Sequence, residues 1–595
     1  MQSPATGSHR DACGSKLGLA ATRGSLWSAR PTSSRTYIAA LLFVLVSSVA
    51  GPRTARAASF RISEGQAFSD VDRAGCRTVS PDGVYAVYCQ DSETDAVFDL
   101  WSTPVAGGAP IRLSDVSAPA RMVEFTISRD SRSVVYRVDQ DTAGVIELYR
   151  IGIAGPAGSQ VKLNPPLVLG GDVFGFAISP DSGRVVYRAD QERDTTVELF
   201  SVSISGGGTA TKLNPALVPG GGVSGFAFSP DGARVVYLAD QESNGVDELY
   251  SVPIGGGAAA KLNPILEPVG GVSTFAVSPG GSSVVFTVED PYAGGLYSAP
   301  IGGGVATLLS SPGALGTFVI SPDGTRVVFT DDQDTPGVEE LYSVPIGGGP
   351  AVKLNPALVA NGDVSPPFAI DAGSARVVYV ADQETDEKRE LYSVPIGGGA
   401  ATRLNSTMQI NRDVFDFTIG PDGSRVVYRA DQLLDQTFEI FSVPIGGGVA
   451  APLNATLSSD RVVLTYAVSL DGSGVVFLAD QEANDVVELF STPIAGGNPV
   501  RLNGPLPLGG DVAEFILSTN REVLYVADQE VDARIDLFVA DTCILCNGFE
   551  SGDTRRWSSG SGGAVSVGSG RVTLTNTTVS RNVAARHGGG LPPRR

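Results

Sequence analysis

Nine times along this chain an Asp is followed, eight positions later, by a second carboxylate: Asp91/Asp99, Asp139/Glu147, Asp190/Glu198, Asp240/Glu248, Asp332/Glu340, Asp382/Glu390, Asp431/Glu439, Asp480/Glu488 and Asp528/Asp536. A tenth Asp, Asp290, breaks the pattern, with Gly295 standing before Leu296. A fixed spacing across a hairpin loop places both acids near its base, where like charges facing each other destabilise the pair. One relief is a bound hard cation such as calcium, which takes carboxylate and backbone oxygens, and DDQDTPGVEE at 331–340 is the most acidic version. The other is structural: the Asp caps loop N–H groups in an Asx-type turn, while the Glu faces water or pairs with a strand Arg such as Arg188 or Arg429. Repetition in nearly every unit favours the structural reading.

Other chemistry is limited by what the composition lacks. The two histidines are His9 and His587, so residues 58–541 contain neither a Ser-His-Asp triad nor a His-ligated metal. No G-x-S-x-G elbow follows the repeats. A glycosidase needs one singular carboxylate pair in two distinct environments, not nine equivalent ones. Trp101 is the single tryptophan between 58 and 541, which weakens an aromatic sugar platform. A non-enzymatic protein is expected.

The elements that position the acids are repeats. In the unit 226–263, FAFSPDGARVVYLADQESNGVDELYSVPIGGGAAAKLN, four short runs rich in Val, Ile, Phe and Tyr are separated by turn signals, which predicts four strands. The repeat Asp recurs at 48 to 51 residues, except for 42 between Asp290 and Asp332. The 73 Gly and 38 Pro fall at fixed places in each unit, which argues for turns and not disorder. Strand alternation puts the two long loops, after "AD" and after "KLN", on one face, and binding is expected there. Proline in "SVPI", as at Pro253, has no N–H for a ladder; it is expected at a bulge or strand end, with third strands short or kinked.

Units of this length, with SPDG followed by RVVY, ELYSVPI and KLN, resemble the blades of TolB-like β-propellers, a blade type shared with the propeller of dipeptidyl and prolyl oligopeptidases. The resemblance covers residues 58–541 and implies an all-β fold of about ten four-stranded antiparallel blades; it implies no reaction. The tenth unit stops after three strands, while Arg61-Ile62-Ser63 aligns with the Lys-Leu-Asn of other fourth strands. An N-terminal strand completing the last blade favours one ring. The alternatives are two five-bladed rings, with a seam at the short fifth unit, or a smaller ring plus extra units. If Asp82-Gly83 centres a hairpin, residues whose numbers sum to 165 face each other, so Cys76 and Cys89 are expected to bridge.

The ends carry address signals. Arg30 and Arg35 precede the apolar run 37–50, and Ala55-Arg56-Ala57 offers a cleavage site, so residues 1–57 read as a signal peptide with an overlong start. The run is short for a membrane anchor, the alternative. The leader holds seven of the 43 Lys/Arg and one of the 64 acids, so the remainder carries −27, which disfavours nucleic acid and anionic membranes as partners. Cys543 and Cys546, in the linker 542–558, read as a small local disulfide, with a redox or metal site as alternative. That linker resembles a GFESGDTS-W segment recurring in exported bacterial proteins, with Trp557 as its anchor. Residues 559–595 resemble one or two rungs of a right-handed β-helix, too few to be stable alone. The whole reads as an exported binding or scaffold module, periplasmic, secreted or at the cell surface, for an unidentified protein or extracellular ligand; the alternatives are a calcium-dependent cell-surface or adhesion protein and, further off, a hydrolase acting on carbohydrate.

Overall fold

The computed structural model describes residues 59–63, 76–91, 98–114, 122–266, 270–290, 294–310, 316–409, 411–530 and 535–541. The leader, Cys543, Cys546, Trp557, the linker and the tail lie outside the described residues. Forty strands form ten sheets, each of four antiparallel strands, and no helix occurs among the described residues. Blades 1 to 9 span 77–112, 122–162, 173–212, 223–261, 271–308, 318–353, 364–403, 414–452 and 463–501; blade 10 combines 512–541 with Ser59–Arg61. In blade 4 the strands are Val223–Phe228, Arg234–Ala239, Glu248–Pro253 and Ala260–Lys261.

The two middle strands of a blade are apolar without alternation because both faces are covered. In blade 4, Val235, Tyr237 and Ala239 pack against Val186, Leu199 and Leu213 of blade 3. The intervening Val236 and Leu238 pack against Val272, Val284 and Phe286 of blade 5. Tyr237 lies opposite Tyr250 in the register and stacks on it, ring centroids 5.4 Å apart. Its buried hydroxyl finds an acceptor in Gln241, the residue after the repeat Asp.

Ten such cores join the blades in a cycle. Nine link consecutive blades. The tenth brings Leu524, Val526, Leu537 and Val539 of blade 10 against Ala86, Tyr88 and Trp101 of blade 1, with Ile62 between them. Ser59, Phe60 and Arg61 pair with Ala540, Val539 and Phe538. Ile62 N–H continues to Leu537 O at 2.8 Å. Arg77 of blade 1 also forms an ion pair with Glu514 of blade 10. The single ring is thus the observed architecture, and the short fifth blade lies within it with a core on each side.

Local chemistry explains the turns. Ser229 Oγ bonds Asp231 Oδ1 at 2.5 Å, Asp231 Oδ1 accepts Ala233 N–H at 3.0 Å, and Gly232 takes the left-handed conformation at φ 70°. The Ser229 hydroxyl and the Ala233 N–H hold the Asp231 carboxyl below its ordinary value. In blade 1 the same turn closes between Ser80 and Tyr85, so four residues and not two form the loop, with the expected register: Arg77 opposes Tyr88 and Cys76 is bridged to Cys89, Cα atoms 5.4 Å apart.

Proline corrects one expectation. Third strands are neither short nor cut back: Glu248–Pro253 has six residues, like the second strand, and the two-residue fourth strand is the short one. Pro253 is the last residue of its strand, opposite Arg234. The next pair takes up the ladder through Ile254 N–H to Ala233 O at 2.9 Å, so the proline position needs no donor. The bulge lies instead in the first strand, between Val223 and Gly225.

Ile62 is 3% exposed at the ring's closure. Ile62→Ala is expected to destabilise the protein by about 2–4 kcal/mol, the usual cost of such a truncation in a core, read as a lowered midpoint in urea. An unchanged midpoint would mean the N-terminal strand does not close the ring.

Candidate functional site: the long-loop face

The repeat Asp ties two loops together. Asp240 Oδ1 accepts Gly222 N–H at 2.5 Å and Oδ2 accepts Gly245 N–H at 2.8 Å. Gly222 ends the loop arriving from blade 3, and Gly245 lies between the second and third strands of blade 4, so both long loops share one face. Asp190 holds Asp172 and Thr195 N–H groups at 2.6 and 3.0 Å. Asp382 holds those of Asp363 and Glu387 at 2.6 and 3.2 Å. Asp431 holds those of Asp413 and Gln436 at 2.7 and 3.2 Å. Asp480 accepts from Val462 at 2.7 Å and Asp332 from Gly337 at 2.8 Å. The loop residue held this way takes a positive φ, freely at Gly245 (81°) and with a strain that the charge-assisted bond to the Asp offsets at Thr195 (65°) and Glu387 (59°).

The second acid turns elsewhere. Glu248 is buried, accepts from Tyr250 OH at 2.6 Å and pairs with Lys261 of the fourth strand, which also reaches Glu242 at 3.0 Å. Burial works against the Lys261 charge, yet the Glu248 and Glu242 carboxylates hold its ammonium above the ordinary lysine value. The same carboxylate–cation–carboxylate triad recurs as Glu192–Lys212–Glu198, Asp334–Lys353–Glu340, Glu384–Arg403–Glu390 and Glu482–Arg501–Glu488. Asp141–Lys162–Glu147 and Glu530–Arg61–Asp536 complete the set, the latter joining the chain's two ends. In blade 1, Asp99 pairs with Arg112 at 2.6 Å. The partner of the second acid is therefore the cation of "KLN", not Arg188 or Arg429. Among the described residues no three His, Cys, Asp or Glu side chains are grouped to hold a metal ion.

The remaining letters of that motif have roles too. Asn263 Oδ1 accepts Leu249 N–H at 2.8 Å, and Leu262 enters the core shared with blade 5. Where Asn is absent, Ser114, Ser310 and Ser63 receive the equivalent N–H. The sequence did hold a signal for the triad. Blade 5 loses the acid and the cation together, to Gly295 and Leu308. Blade 8 has Pro452 at the cation position and Leu433 at the outer acid, which leaves Glu439 buried with Asn454 Nδ2 at 3.4 Å. Burial raises the Glu439 carboxyl above its ordinary value, against the pull of that Asn and a backbone N–H.

A second carboxylate links neighbouring blades on this face. Asp172 accepts Ile146 N–H at 2.7 Å, Asp363 that of Glu339 at 2.8 Å, Asp413 that of Arg389 at 2.8 Å and Asp511 that of Val487 at 2.7 Å. In blade 9 the corresponding residue is Val462, and in blades 4 and 5 the corresponding residues are Gly222 and Gly271. A depression of about 620 Å³ opens there, lined among others by Ser224, Asp247, Gly271, Ser273 and Glu289. Ser224 Oγ bonds Asp247 Oδ2 at 3.0 Å; burial, with Asp240 adding to it, raises the Asp247 carboxyl. Trp101 is buried in the closing core and is not presented to this face.

Strand order and cores define the protein as a ten-bladed β-propeller closed by its own N-terminal strand. It is similar to Porphyromonas gingivalis dipeptidyl peptidase 4, with a TM-score of 0.43 and 12% identity over 69% of this chain and 64% of that one. It is similar also to a eukaryotic initiation factor, at 0.43 and 12% over 68% and 92%, and to a TolB-like protein of Agrobacterium tumefaciens, at 0.22 and 17% over 48% and 81%. The chain spans less than two thirds of the peptidase. No protein-family model matches it, and no curated protein does. No activity or ligand follows from these likenesses.

Two outcomes follow for stability. Asp240→Ala removes both loop ties and is expected to cost about 2–3 kcal/mol, with Asp240→Asn costing less because it keeps an acceptor, both read by chemical denaturation. For Glu439, a folded-state value above the unfolded one means the folded chain binds the extra proton. Stability from this group is full below the ordinary Glu value of about 4.3 and is lost as pH rises through the folded value. Glu439→Gln is therefore expected to stabilise at pH 7, on the order of 1 kcal/mol, with the gain vanishing towards pH 4; a gain independent of pH would contradict it.

Proposed function

We propose that the protein is an exported, non-enzymatic binding module whose ligand-binding surface is the long-loop face, centred on the depression between blades 4 and 5. The observation that carries this reading is the pair of glycines, Gly222 and Gly271, at a position where blades 3, 7, 8 and 10 carry an Asp and blade 9 carries Val462. Elsewhere the repeated Asp, Glu, Lys and Asn side chains are spent on loop ties, triads and strand ends. Where two successive blades carry glycine at this position, the surface opens beside Asp247 and Ser224. Long loops on a rigid scaffold are where binding residues concentrate. The lack of histidine between 58 and 541 and the absence of one singular acid pair support a binding role over catalysis. Export is supported by the leader-like residues 1–57 and by the Cys76–Cys89 bridge, which suits an oxidising compartment. Among the described residues no helix is long and apolar enough to cross a membrane.

The test is a thermal-shift screen of the purified chain against small acids, amines, sugars and short peptides. Cβ atoms at Gly222 and Gly271 would meet nothing closer than 3.7 Å, so Gly222→Asp and Gly271→Asp restore the repeat without strain. A ligand is expected whose shift these variants abolish while their own midpoints stay at or above that of the parent. Ligands that bind both variants normally would move the site elsewhere, and turnover of a bound ligand would overturn the non-enzymatic reading.

A further inference from the structure

Three blades place an arginine at the fifth position of the second strand: Arg137, Arg188 and Arg429. In each, Nη1 crosses to a backbone carbonyl of the next blade's first strand. Arg137 reaches Val173 O at 2.5 Å, Arg188 reaches Val223 O at 3.2 Å and also Ser224 O, and Arg429 reaches Val463 O at 3.3 Å and also Leu464 O. The rest of the guanidinium differs. Arg137 Nε bonds Glu124 at 2.8 Å, and Arg429 Nη2 bonds Asp416 at 2.5 Å, each carboxylate lying directly across the ladder on the same blade's first strand. Across from Arg188 stands Gly175.

The space that a carboxylate fills in blades 2 and 8 is open in blade 3. A Cβ built on Gly175 would meet only Arg188 Nη2 at 3.7 Å and Nε at 4.0 Å. That guanidinium edge presents parallel donors of the kind that engage a carboxylate through two bonds. Phe174, the residue before Gly175 on the same strand, is 44% exposed and offers apolar surface at this strand end. Burial and the neighbouring Arg137 both depress the Arg188 value, with Glu124 acting in the other direction, so an added anion would be favoured there. Ser224, whose carbonyl Arg188 holds, also lines the depression described above.

We propose that Arg188, over Gly175 and near the strand end that carries Phe174, is a binding site for a ligand carboxylate carried on an apolar or aromatic group. The protein supplies the template itself, because Glu124 and Asp416 occupy the equivalent place in two sister blades. The site rests on the reading of this face as a binding surface and adds the ligand chemistry at one of its edges. A free organic acid and the C-terminus of a polypeptide present the same group.

The test uses the full mature chain and ligand-observed NMR with N-acetyl-phenylalanine, N-acetyl-phenylalaninamide and a hexapeptide ending in Phe. The acid is expected to bind in the millimolar range or tighter, and at least about tenfold better than the amide. Arg188→Leu is expected to remove that preference. Gly175→Asp, which rebuilds the blade 2 and blade 8 arrangement, is expected to remove it with the fold intact, so the result does not depend on the Leu variant folding. A hexapeptide about tenfold tighter than the free acid assigns a chain terminus, and equal affinity assigns a small acid. Equal binding of acid and amide, undiminished binding to Gly175→Asp, or no binding of the acid at about 10 mM would each overturn the proposal. If Gly271→Asp still abolishes another ligand in that case, the binding face stands and the carboxylate assignment alone fails.

Discussion

Every blade of this protein is apolar on both faces, and that requirement governs the rest. A sheet such as blade 4 turns Val235 and Tyr237 one way and Val236 and Leu238 the other, so it must be covered on each side. Stacking blades in a row satisfies all of them except the first and the last. Closing the row removes both exceptions, and Ile62 with the strand Ser59–Arg61 does so by placing the start of the chain in the final sheet. The closing core contains the same kinds of side chain as the other nine.

Covering the faces leaves the edges to be held, and there the acids act. A fourth strand of two residues offers few backbone bonds. The motif compensates: the Lys or Arg pairs with a buried Glu, the Leu enters the next core, and the Asn receives an N–H from the third strand. The repeat Asp performs the matching task on the loops, since each of its oxygens serves a different loop. A chain with a formal charge of −21 thus uses many of its carboxylates as internal ties. Buried pairs of this kind are costly to break from one side, because the remaining charge is stranded; blade 5 lacks both members, while blade 8 lacks the cation and leaves Glu439 buried with its carboxyl raised above the ordinary value.

Once the repeated residues have structural duties, function is read from the exceptions. Gly222 and Gly271 carry no side chain where blades 3, 7, 8 and 10 have an inter-blade Asp, and Gly175 carries none opposite Arg188. These three glycines lie on blades 3 to 5, at the strand ends nearest the long loops. At Gly175 the arginine across the ladder lacks the carboxylate that Arg137 and Arg429 meet in Glu124 and Asp416.

Much of this was legible in the residues. The four runs per unit, the turn chemistry of SPDG, the register joining Cys76 to Cys89 and the match of Arg61-Ile62-Ser63 to Lys-Leu-Asn are short-range features, each decided by neighbours within one hairpin or by likeness to another unit. The pairing of Glu248 with Lys261 was within reach, since Gly295 and Leu308 depart together, but spacing alone suggested two acids facing each other. Proline misled because its missing N–H matters only where a ladder needs it, and that depends on which residue pairs bond. The choice of one ten-bladed ring, which the match of Arg61-Ile62-Ser63 favoured, over two smaller ones, and the reach of Arg188 to the carbonyls of the next blade were settled by tertiary structure. Nearly identical units carry no local mark of how many share one axis; that number follows from how adjacent sheets pack and from where the last one meets the first.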